Sequence, residues 1–264
     1  MGGVRPLLRF ARTLLATNLR ASLALRGAFW LQAAFMVGNN LAFFTTWWLL
    51  FARFHDIGGW RLPDMMTVFG VVASGFGLSV VFGGGARRLA RMIADGELDP
   101  LLVQPKPVLL HAVGSASTAS GWGDLTTGIG MLYLAGRLDL ETLPFVALAV
   151  AVSATVFTSA SVLFQSLAFW LGDVEQLSRQ LWEFTLTFAL YPQPLFAGGI
   201  SFLLYTLLPA GFVGFLPVEV VRNPSALLCL SAAGAALGWW LLAVGVFALG
   251  LRRYESGSRF GARG

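Results

Sequence analysis

The sequence predicts an all-α integral membrane protein, and three observations carry that prediction. The first is the balance of side chains: 264 residues that are 56% hydrophobic and only 12% charged, with a mean hydropathy of +0.73, cannot cover a water-soluble globule. The second is segment length. Apolar stretches near Ala28 to Phe51, Met65 to Gly83, Ala116 to Leu134, Leu143 to Leu171, Leu181 to Phe196 and Ser225 to Leu251 approach the roughly 20 residues needed to cross a ~30 Å hydrocarbon layer, giving about six spans. The third is where the cations fall. With both termini cytoplasmic, all but Arg53, Arg61, Arg137 and Arg222 of the 18 basic residues lie on the inner side, the side on which positive charge is retained. The net charge of +5 is thus a signature of orientation in a cell inner membrane, and nucleic acid is not an expected partner.

Ahead of the first span, residues 1–26 form an amphipathic segment. Arg5, Arg9, Arg12 and Arg20 share one helical face and Leu7, Phe10, Ala11 and Leu14 the other, the pattern of a helix lying in the headgroup layer among membrane lipids. The alternative is a basic tail that only enforces orientation. The first long apolar run begins too late, and runs too long, for a cleavable signal peptide, so the first span is expected to remain. Cys229 is the lone cysteine, which excludes an internal disulfide, and no His/Cys cluster has metal-ligand spacing.

The loop after the second span, residues 86–107, contains Arg87 to Pro107, RRLARMIADGELDPLLVQPKP. Arg87 to Ala94 continue as helix and Gly96 ends it. Asp99 caps a restart with Pro100 in the first helical position, and Pro105 and Pro107 stop this second piece after little more than a turn. The product is an elbow that is basic at Arg87, Arg88 and Arg91 and acidic at Asp95, Glu97 and Asp99. Leu98, Leu101 and Leu102 offer apolar anchors to a partner. Gly83-Gly84-Gly85 reads as the flexible end of the second span, since it lacks the Lys of a phosphate-binding loop.

Further along, Tyr191 to Pro224 is apolar but interrupted by Pro192, Pro194, Gly198, Gly199, Pro209, Gly211, Gly214 and Pro217, so one straight helix is excluded. A re-entrant hairpin over 197–224 fits, if protein buries the freed backbone groups; a kinked fifth span is the alternative. In the last span Gly234 and Gly238 form a G-x-x-x-G pair suited to close packing within the subunit, with dimerisation second.

Polar side chains inside spans mark a candidate pathway. Gln32, Phe35, Met36, Asn39 and Phe43 share a face of the first span, a mixed amide and aromatic stripe suited to an amphiphilic substrate. Hydrogen bonding between helices is the other use of such amides. Asp124 and Glu183 are the ionisable candidates, with structural ion pairing as the other reading.

Ile93 to Pro105 follows I-x-x-G-E-L-D-P-L-L-x-x-P and resembles the first cytoplasmic loop of the ABC type-2 exporter permeases. Leu208-Pro209 to Phe215-Leu216-Pro217 resembles that family's proline-framed stretch before the last span. Gly250-Leu251-Arg252-Arg253-Tyr254-Glu255-Ser256-Gly257-Ser258 resembles the G-L-x-x-Y-x-S ending of its small single-domain branch. The likeness runs in order along nearly the whole chain, as one domain over 1–264. The third span departs from the pattern: Ser115 to Ser120 and Gly121-Trp122-Gly123 make it unusually small and polar.

The resemblance implies an interfacial N-terminal helix, a coupling helix in the first inner loop and a re-entrant hairpin. It also implies a second permease copy, or a similar permease, to complete the pathway. The lone Lys106 between prolines excludes a Walker motif in this chain, so ATP and Mg are expected on a separate dimeric ABC ATPase subunit. Arg87, Arg88, Arg91, Asp95, Gly96, Glu97, Leu98, Asp99, Pro100 and Leu101 are the residues expected to couple to it. The readings from other classes are an intramembrane enzyme and a non-transporting scaffold or immunity protein. The enzyme is disfavoured because His55 and His111 are isolated and no H-E-x-x-H or G-x-S-x-G occurs.

Overall fold

A computed structural model describes residues 4–196 and 198–255. It is 79% helix, and no strand occurs among the described residues. Ser256 to Ser258 of the tail motif, Arg259, Arg263 and Ala197 at the head of the expected hairpin lie outside the described residues.

The chain opens with α1 (Val4–Ala24) and α2 (Arg26–Arg53). A tight turn follows, in which Gly58 and Gly59 take positive φ, and then α3 (Leu62–Gly83). A 3-10 turn, Gly84–Arg88, leads into the short helices α4 (Leu89–Ala94), α5 (Asp99–Leu102) and α6 (Val108–Val113). Then come α7 (Ser120–Leu134), α8 (Leu143–Ser166), α9 (Ala168–Leu171), α10 (Glu175–Ala189), α11 (Gly199–Thr206), α12 (Leu216–Arg222) and α13 (Ala226–Leu251).

Four helical segments are long and apolar enough to cross a membrane: Arg26–Arg53, Leu62–Ala94, Leu143–Leu171 and Ala226–Leu251. The expected third and fifth spans correspond to α7 and α10, at 15 residues each, so each rises only about 22 Å, short of the ~30 Å layer. In the third, Ala116 to Ala119 do not join the helix. The interrupted region is a bent pair, Gly199–Thr206 and Gly211–Arg222, that turns by 76° at Leu208-Pro209-Ala210. Its second limb begins with a π-helical turn, Gly211–Phe215, which opens the ladder where Pro217 removes a donor.

α3 is the central helix, buried along most of its length and packed on α7 and α8. The small polar character of α7 has its reason here. A Cβ on Gly77 would stand 2.7 Å from the Gly121 carbonyl, and one on Gly128 would stand 2.8 Å from the Gly70 carbonyl. Glycines seven apart on both helices therefore let the backbones touch. α13 packs on α8 and buries Ala232, Ala236, Ala243, Phe247 and Gly250, the last two against Phe169 of α9. Gly234 and Gly238 correct the expectation of packing within the subunit: nothing lies within 4 Å of a Cβ built on either.

Charged groups gather at two opposite ends. At one, Asp64 receives Arg222 at 3.0 Å and Arg137 at 3.8 Å, and the Arg222 guanidinium lies 4.2 Å over the Trp60 ring. At the other, α1 lies along α6. Asn18 donates to the Gly114 carbonyl, Phe10 meets His111 edge-on at 5.3 Å, and Lys106 stands 5.3 Å over Phe10.

Candidate functional site

The first site is the elbow of α4 to α6. α4 ends because Gly96 adopts φ +76°, which lets the Glu97 N–H reach back to the Met92 carbonyl at 2.9 Å, a Schellman closure that only a residue tolerant of left-handed backbone makes cheaply. Asp99 is the first residue of α5, and Leu98 occupies the cap position without a side-chain bond. This corrects the capping role expected for Asp99: the Gly96 closure already sets the direction of the chain, and the Asp99 carboxylate faces the Tyr254 hydroxyl.

The elbow is held from inside. Leu98 is fully buried in a core that includes Leu89, Ile93, Val174 and Phe247. The Ala90 N–H donates to Gln165 Oε1 at 3.1 Å. Arg91 grips Glu175 with two hydrogen bonds, Nη2 to Oε1 at 2.6 Å and Nε to Oε2 at 3.2 Å, and Arg179 adds a third at 3.0 Å. Those bonds, Arg91 foremost, hold the Glu175 carboxyl below the usual carboxylate range.

Among the residues expected to couple, Leu98 is thus an internal support. Asp95, Gly96, Asp99 and Leu101 are half-buried, while Arg87, Arg88, Arg91, Glu97 and Pro100 are exposed. Sequence reasoning missed Val103, which is 85% exposed at the tip beside the exposed Leu102, Gln104 and Pro105. The readable signal was an apolar pair stranded just before two helix-ending prolines.

The second site is a cleft of about 430 Å³ among α2, α3, α7 and α10, lined by Met36, Asn39, Phe43, Phe69, Phe76 and Asp124, among others. On its wall Asn40 Nδ2 donates to Asp124 Oδ1 at 2.8 Å. Both residues are buried, and the second carboxylate oxygen has no hydrogen-bond partner among the described residues. The structure brings together Met36, Asn39, Phe43 and Asp124 of the expected pathway set. Gln32 lines a separate pocket near α1, Phe35 points away at 75% exposure, and Glu183 is exposed on α10.

The reason is the helical phase of α2. Its buried stripe is Phe29, Ala33, Asn40, Phe44, Trp47 and Phe51, one residue on from the stripe chosen by polarity. Asn40 was missed because its neighbour Asn39 aligned with Gln32.

Compared with known proteins, residues 37–258 match a family model described as ABC-2 family transporter protein. No curated protein matches the chain, and no solved structure does.

Proposed function

Since the chain belongs to the ABC-2 transporter family, whose members are multi-pass membrane components of ABC transporters, we propose that it is an exporter subunit. It moves an amphiphilic or lipid-like substrate outward, driven by a separate dimeric ABC ATPase that holds ATP and Mg. Both termini and the elbow are cytoplasmic, in a cell inner membrane. α7 and α10 complete six passes with the help of the segments flanking them, and the bent pair of α11 and α12 is the re-entrant hairpin on the outer side.

The observation that carries this reading is the construction of the elbow. A short helix is fixed from beneath by the fully buried Leu98 and braced by Arg91 on Glu175, yet it presents Leu102 and Val103 bare at its tip. A rigid protrusion with an apolar point suits transmission of movement from a docked subunit, because little binding energy is lost in ordering it. The cleft at Asn40 and Asp124 supports a polar-lined route through otherwise apolar helices. A second permease copy supplies the facing half of that route.

The test is reconstitution with the candidate ATPase. The purified permease alone hydrolyses no ATP, the pair does so, and Val103→Asp abolishes assembly while the permease still inserts. Hydrolysis by the permease alone, or full assembly of Val103→Asp, rejects the reading. Orientation is checked by cysteine labelling in a Cys229→Ser background: position 61 reacts from outside and position 88 only from inside.

A further inference from the structure

We propose that a basic pocket at the elbow end binds a phosphate group, carried either by an anionic phospholipid or by a soluble phosphate ester. The pocket, about 310 Å³, lies between the 3-10 turn, α8 and α10 and is lined by Arg87, Arg88, Arg91 and Arg179, with Glu175 its only carboxylate among the described residues.

The arginines are placed by a rigid backbone. Gly84 and Gly85 are buried, against the expectation of a flexible span end. A Cβ on Gly84 would stand 2.9 Å from the Ala116 carbonyl, and one on Gly85 would overlap the Ala112 carbonyl. The turn can therefore pack only as glycine, and it delivers Arg87 and Arg88 to the pocket without slack.

The charge does not close on itself. Glu175 is taken by Arg91 and Arg179, at 2.6 and 3.0 Å; Glu183 and Asp124 act on Arg87 only from beyond salt-bridge distance, and no carboxylate among the described residues forms a salt bridge with Arg87 or Arg88. The Arg87 guanidinium carbon stands 4.4 Å from the centre of the Trp182 ring, a cation–π contact that steadies the group without using up its N–H donors. Gln165, 5% exposed, commits Oε1 to the Ala90 N–H at 3.1 Å, so the group it offers the pocket is its amide donor.

Two unpaired guanidiniums and an oriented amide suit a ligand with several anionic oxygens on one centre. A phosphate satisfies more than one fork at a time, which a lone carboxylate does less well. At the cytoplasmic leaflet such a pocket meets anionic headgroups. The pocket itself does not depend on the transport reading; its meeting with a cytoplasmic leaflet rests on the orientation proposed above.

The experiment is native mass spectrometry of the full-length permease taken from phosphatidylcholine vesicles doped with phosphatidylglycerol. Wild type retains phosphatidylglycerol in preference to phosphatidylcholine. The Arg87→Gln/Arg88→Gln double variant retains about tenfold less, because charge-assisted hydrogen bonds are lost. Arg252→Gln/Arg253→Gln, which removes equal charge at the same end outside the pocket, retains it all. Glu175→Gln frees two more guanidiniums and raises retention, a gain that misfolding cannot mimic.

Displacement of the adduct by millimolar glycerol phosphate assigns the site to soluble phosphate esters; persistence assigns it to the lipid. Equal retention by wild type and the Arg87/Arg88 variant overturns the proposal. So does a variant that loses ATPase copurification with its adduct unchanged, which makes the pocket a seat for an acidic protein segment.

Discussion

Tyr254 closes over the elbow with its hydroxyl facing the Asp99 carboxylate, and burial first, then Asp99, pushes its phenol up to about 12. Its ring stands edge-on to Phe169 at 6.1 Å, and Phe169 in turn meets Phe247 at 5.6 Å. The two segments that resemble family motifs, the elbow and the tail, are therefore one structural unit. The end of the last span is tied directly to the loop proposed to meet the ATPase.

Tyr254→Ala therefore loosens the elbow while Tyr254→Phe, which keeps the ring contacts, leaves it closed. Limited proteolysis between Gly96 and Pro107 reads the difference. Because the folded pKa is raised, the stabilisation is present below the unfolded value of 10.0 and is lost as pH rises through about 12. The Phe variant lacks this alkaline loss.

Leu98 and Val103 separate folding from docking. Leu98→Ala opens a cavity in a closed core and costs roughly 2–5 kcal/mol, seen as a lower Tm whether or not the ATPase is present. Val103→Asp changes Tm by less than about 0.5 kcal/mol equivalent and removes ATPase binding.

At the cleft, Asn40→Ala strips the Asp124 carboxylate of its hydrogen bond and destabilises by about 1–3 kcal/mol. Asp124→Asn costs less, since it removes the buried charge. A double-mutant cycle on denaturation of the purified protein returns a coupling of roughly 0.5–3 kcal/mol, and a value near zero rejects the pairing.

Glycine substitutions sort by neighbour. Gly77→Ala drives a Cβ into the Gly121 carbonyl, 2.7 Å away, and destabilises by about 1–3 kcal/mol. Gly234→Ala meets open space and stabilises the isolated subunit by roughly 0.5–1 kcal/mol. Thermal unfolding in detergent checks both.

Acid weakens the brace at Glu175. Its carboxyl is held low by Arg91, so the contribution to stability is present above the unfolded carboxylate pKa and is lost as pH falls through the lower folded value. Elbow protease sensitivity rises below that range in wild type.

Hydropathy and local backbone preference made much of the fold legible in the residues alone. The apolar runs around Phe44, Val71, Val156 and Ala236 announce spanning helices because lipid solvates nothing else, and Gly96 with Asp99-Pro100 announces the elbow because few residues accept φ +76°. Tertiary packing decided the rest. Whether Asn39 or Asn40 turns inward depends on the rotation of α2 against α7, and Leu98 became an internal support because Phe247 and Val174 arrive over it from distant segments. The glycines at 84 and 85 became a rigid seat for two arginines, and those at 234 and 238 were left open. A sequence states what each residue tolerates; which neighbour arrives is settled only when helices far apart in the chain compete for the same surface.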